Sequence, residues 1–173
     1  MIKTFGVLAA LSLLVASFGQ AADTEKKVTF TVLKGWHEAR VQEATVLVLK
    51  DEATYTTSFA DTFGRYRLEY PSGKQPVPEK VDFQSQQVVA ICWGEKTSTG
   101  HDISVVSVTG TAKETTITVK TTVPKGIADP AITYPVAALV LPKTDVIRVI
   151  VTGDRTPRGG KDFSDAGLEV IVK

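Results

Sequence analysis

A chain of 173 residues with 20 Lys and Arg against 19 Asp and Glu carries a formal charge of +1. Its 23 Val, 9 Ile and 22 Thr make up nearly a third of the whole, and such β-branched side chains are stiff at χ1 and suit a pleated sheet. This composition excludes a helical bundle, a coiled coil and a disordered chain, and the near-neutral charge gives nucleic acid or an anionic membrane no basic surface to find.

Lys3, the apolar run Val7 to Val15 and the small residues Ala16, Ser17, Gly19, Ala21 and Ala22 form the pattern of a secretory signal peptide. Residues 1–21 are therefore expected to be removed. The apolar stretch from Phe5 to Phe18 falls short of the roughly 20 residues that span a bilayer, so no stable membrane insertion is expected after cleavage. No Cys stands near the cleavage site, which argues against a lipid anchor. The expected product is an exported protein, periplasmic or extracellular. The chain has no Asn, hence no N-glycosylation acceptor.

Downstream, Val28, Phe30 and Val32 alternate with Thr29, Thr31 and Leu33, which predicts a half-buried first strand. Val46 and Val48 mark a second, more buried one. Asp51 offers an N-cap, and Tyr55, Phe59 and Phe63 at helical spacing, followed by Gly64, predict a short helix in preference to a strand. Residues 70–80 hold three prolines and a glycine and read as a loop. Strands then follow over 87–93, 102–109, 115–122, 132–141, 145–151 and 167–172, separated by Gly- and Pro-rich turns. Pro135 would make the 132–141 strand an edge or bulge it. Val106 beside Val105 breaks the alternation of 102–109, which a bulge or a doubly buried strand explains. The fold class is mainly β: an antiparallel sandwich or partly open barrel with one short helix. Residues 22–79 supply N-terminal strands and the helix, 80–152 a β domain, and 153–173 a C-terminal loop and strand, with 27–173 as one globular unit.

Catalytic chemistry finds little to work with. The lone Cys92 sits in the apolar run Val88 to Trp93 and reads as a small buried hydrophobe. A Cys92–His101 dyad would still need an orienting group and oxyanion donors. His37-Glu38 and His101-Asp102 lack metal-ligand spacing, so no metal and no cofactor is expected. Residues 94–100 lack the Lys after the last Gly and the following helix of a phosphate loop. The basic, glycine-rich stretch Thr156 to Lys161 reads as a solvated turn.

One constellation is more specific. Val81-Asp82-Phe83, the strand Val88–Trp93, then Gly94, Glu95, Lys96, Thr97, Ser98, Thr99, Gly100 and His101, then Ile103-Ser104-Val105 and Val108, and later Ala131 to Pro135 and Val140 to Lys143, resemble the PrcB-type domain. That family is named for a small lipoprotein that associates with a surface protease and stabilises it. The resemblance spans about residues 80–150. It implies a non-enzymatic binding or accessory module whose partner is a protein, such as a protease, with the 94–101 loop as the candidate binding loop. The chain departs from the family pattern at Ser98 and His101, where Pro and an aromatic residue are usual, and it lacks the lipobox Cys. A looser resemblance links Thr97 to His101 with the loop of chagasin-like inhibitors of papain-type proteases. It implies the alternative of an inhibitor inserting the same loop into a cleft. The plain alternative is a hairpin connection with no binding role.

Overall fold

A computed structural model describes residues 25–33, 41–63, 79–154 and 169–172. Residues 1–21, expected to be a signal peptide, together with His37, most of the 70–80 loop and the 156–161 stretch, lie outside the described residues. Two sheets pack face to face. The first has five strands in the order β1 (Lys26–Lys27), β5 (Asp102–Gly110), β6 (Glu114–Thr122), β8 (Val146–Gly153) and β9 (Glu169–Val172). The second has four, in the order β2 (Thr31–Val32), β7 (Val136–Pro142), β4 (Gln86–Cys92) and β3 (Thr45–Leu49). One helix, α1 (Glu52–Phe63), follows β3. Neither sheet closes on itself, so the molecule is a sandwich rather than a barrel. Among the described residues no helix is long and apolar enough to cross a membrane.

The sequence pattern explains which faces are buried. The core between the sheets holds Val89, Ile91 and Trp93 from β4 and its extension, Leu139 and Leu141 from β7, and Ile117, Val119, Ile147 and Val149 from β6 and β8. The opposite face of the four-stranded sheet is buried too, through Val88, Ala90, Cys92, Ala138 and Val140 packed with Leu49, Leu33 and Tyr55 of α1. A strand covered on both faces needs a continuous apolar run instead of alternation, and Val88–Trp93 is that run. β6 shows the other regime: Thr115, Ile117, Val119 and Thr121 are buried while Lys120 is exposed. Asp51 caps α1 as expected, accepting from the Thr54 N–H at 2.8 Å and from the Thr54 hydroxyl at 2.9 Å.

Three expectations need correction. The 28–33 strand is divided: Lys26–Lys27 pairs with β5, whereas Thr31–Val32 pairs with β7 in the other sheet. Alternation cannot reveal this, because Val28 and Phe30 still point at the one core between the sheets. The strand expected over 132–141 begins at Val136 and lies inside its sheet, between β2 and β4. Pro135 is tolerated because it precedes the strand and only accepts, from the Trp93 N–H at 2.9 Å. Finally, the sheets are not wholly antiparallel. β6 and β8 pair in parallel from Glu114↔Val146 to Thr121↔Gly153, because the chain crosses to the second sheet as β7 between them. The expected bulge in β5 is present, with a register shift between Val105 and Ser107 that leaves Val106 60% exposed.

Candidate functional site

The 94–101 loop leaves β4 at one end of the sandwich and is fixed at nearly every residue. Gly94 turns the chain at φ 79°, and a Cβ there would stand 2.9 Å from the Gln42 carbonyl oxygen, so only glycine fits without displacement. The Glu95 N–H donates to that same Gln42 carbonyl at 3.0 Å. Lys96 makes a two-way bridge with Thr133: its N–H donates to the Thr133 carbonyl at 2.8 Å and its carbonyl accepts from the Thr133 N–H at 2.9 Å. The Thr133 hydroxyl donates to the Ser98 carbonyl at 3.0 Å, and the Thr99 N–H donates to the Asp129 carbonyl at 3.0 Å.

Lys96 is the unexpected member. Its side chain turns inward, donating from Nζ to the Trp93 carbonyl at 2.8 Å and lying 4.6 Å from the Trp93 ring centroid. The ring face offers the ammonium a cation–π partner, and the alkyl stem covers apolar surface. His101 approaches the same indole edge-on, with centroids 5.7 Å apart. Its Nδ1 lies 3.1 Å from the Ser98 carbonyl, which can only accept, so Nδ1 carries the proton there. Gly100, at φ 83°, lies against Pro124, with 3.0 Å between an added Cβ and the Pro124 Cβ.

Of the eight expected binding-loop residues, Glu95, Thr97 and Gly100 are exposed. Ser98, Thr99 and His101 are half-buried, while Gly94 and Lys96 are buried. The loop therefore offers a low, braced ridge. A second loop, residues 123–135, lies against it through the Thr133 and Asp129 contacts and presents Ile127, fully exposed, and Ile132, 62% exposed. Tyr134 joins the two loops by donating its hydroxyl to Glu95 Oε2 at 3.0 Å. Sequence reasoning missed Ile132 because 132–141 read as strand, and Ile127 because it falls in the turn before that strand. The available signal was an isoleucine set between Gly126 and Pro130, where turn chemistry leaves it no core to enter.

Cys92 and His101 are not brought together. Cys92 packs in the cluster on the outer face of the four-stranded sheet, whereas Trp93, which His101 touches, packs in the core between the sheets. Burial pushes the Cys92 thiol from the ordinary 9.0 up to about 12, leaving it protonated at neutral pH. Among the described residues no group of three His, Cys, Asp or Glu could hold a metal ion.

Residues 87–142, about a third of the chain, match the family model described as PrcB C-terminal. The matched stretch runs from β4 through β7 and includes both loops. Comparison with curated proteins and with solved structures gave no match.

Proposed function

We propose, taking residues 87–142 as a PrcB C-terminal domain, that this protein is an exported, non-enzymatic accessory module that binds and stabilises a protease or another envelope protein. The carrying observation is the pair of loops braced on each other, with Ile127 and Ile132 of the second loop held out to solvent. Two unburied isoleucines on a fixed scaffold favour association, since the loops need little ordering when a partner arrives. Export rests on the signal-peptide pattern of residues 1–21. The inhibitor reading has less support. Lys96 is turned inward and the loop is tied down on both flanks, which leaves only Glu95, Thr97 and Gly100 of the eight exposed.

The test is recovery of a protease from an envelope extract of the host by the tagged protein, with the double variant Ile127→Asp/Ile132→Asp as control. Both side chains are exposed, so the variant should keep its circular dichroism spectrum. The wild type should recover a protease whose half-life shortens when this protein is deleted, and the variant should recover much less of it. Equal recovery by both would remove the loops from the interface. Absence of any protease would remove the protease as partner, and absence of any envelope protein whose half-life depends on this chain would remove the accessory reading.

A further inference from the structure

We infer that the Lys96 ammonium is a latch joining the 94–101 loop to the 123–135 loop, which makes Lys96 a positioning residue for Ile127 and Ile132. The inference deepens the accessory reading and rests on it only for what the two loops bind. Lys96 is 8% exposed and is the one charged side chain among the buried residues described. Taking an ammonium out of water is costly, and an apolar side chain of similar length would cover the Trp93 ring without that cost. The charge is therefore explained by what the ammonium holds and not by apolar packing.

Both backbone groups of Lys96 are engaged by the second loop: the N–H donates to the Thr133 carbonyl at 2.8 Å and the carbonyl accepts from the Thr133 N–H at 2.9 Å. The side chain goes the other way. Nζ folds back across three residues to the Trp93 carbonyl at 2.8 Å and lies 4.6 Å from the centroid of the Trp93 ring, which is fully buried in the core between the sheets. Lys96 is thus tied to the second loop by its backbone and to the core by its ammonium. Trp93 itself reaches the second loop, its N–H donating to the Pro135 carbonyl at 2.9 Å. The Thr133 hydroxyl on the Ser98 carbonyl and the Thr99 N–H on the Asp129 carbonyl, each at 3.0 Å, continue the seam. Ile132 adjoins Thr133, and Ile127 stands two residues before Asp129. Both exposed isoleucines are therefore carried by residues beside contacts that the latch keeps in place.

The first arm of the test needs no partner. Amide hydrogen exchange of the full chain is compared with that of Lys96→Met, which keeps an unbranched stem and removes the ammonium. The N–H groups of position 96, Thr99 and Thr133 should exchange about tenfold faster or more, the scale of one hydrogen bond to a charged group. Those of Ile117 and Leu139, fully buried in the core, should stay within about twofold of the wild type. Lys96→Arg returns a cation and donors to the indole, so it should bring the loop amides back towards wild-type exchange. In the envelope-extract assay Lys96→Met should recover at least about fivefold less partner, although both isoleucines are intact, because loosened loops must be ordered on binding. Unchanged loop exchange in Lys96→Met overturns the latch, as does failure of Lys96→Arg to restore it. Equal acceleration at Ile117 and Leu139, or unfolding of Lys96→Met, also overturns it by making the role one of general stability. Loosened loops with undiminished recovery overturn the positioning role and leave the accessory reading standing. If no envelope protein is recovered even by the wild type, the accessory reading fails, and the exchange arm still decides the latch.

Discussion

Cys92 shows how far a single residue can be read from its surroundings. The apolar run around it identifies it as buried, and it is wholly so. With the thiol raised to about 12 by burial, it should resist a thiol reagent in the native protein at pH 8 and react fully in urea. The same shift has a sign for stability. A folded-state value above the unfolded one favours the protonated form in the fold, so this contribution is complete below about pH 9 and is lost as pH rises from there towards 12. Denaturation of Cys92→Ala should lose stability less steeply across that window than the wild type, and an equal slope would contradict it. Lys96 is the opposite case. Nothing local in Gly94-Glu95-Lys96-Thr97 marks a lysine that folds inward, because its burial depends on the Trp93 ring and carbonyl. Asp51 was legible because a helix cap is a contact across three residues.

Elements were legible where one face rule governs the whole strand. β6 alternates and β4 does not, and each pattern states how many faces are covered. The split of β1 from β2 was not legible, since a chain passing between two sheets over one core keeps the same alternation. The interior place of β7 was hidden by Pro135, whose constraint applies one residue before pairing starts. The consequence for mutation is a contrast. Leu139→Ala, fully buried in β7, should cost about 2–5 kcal/mol in urea denaturation. Lys120→Ala, on the outward face of β6, should stay within about 0.5 kcal/mol. Similar losses at both positions would contradict the assignment of faces.

At the scale of the whole molecule, the family match and the folding unit differ. Residues 87–142 contain β4–β7, but β6 needs β8 along its other side, and β4 needs β3. An excised 87–142 fragment would expose both strand edges and the outer face that Leu33, Leu49 and Tyr55 help to cover. It should be aggregated or unstructured by circular dichroism and by sedimentation, whereas residues 22–173 should unfold cooperatively. A soluble, cooperatively unfolding fragment would show that the matched segment suffices alone. A sandwich with one short helix followed from strand spacing, but the parallel pair did not, because turn signals mark where a strand stops and not which sheet it joins next.

That parallel pair also bears on how fast the chain can fold. The β5–β6 hairpin closes locally, across Gly110 to Glu114. β6 and β8, by contrast, pair across a crossover that includes β7 in the opposite sheet. Pairing of this separation makes folding slow, so the far edge of β6 should be among the last parts of the sheet to be sealed. A chain folding from the unfolded state would pass through an interval with that edge bare, and its yield would depend on how long the interval lasts.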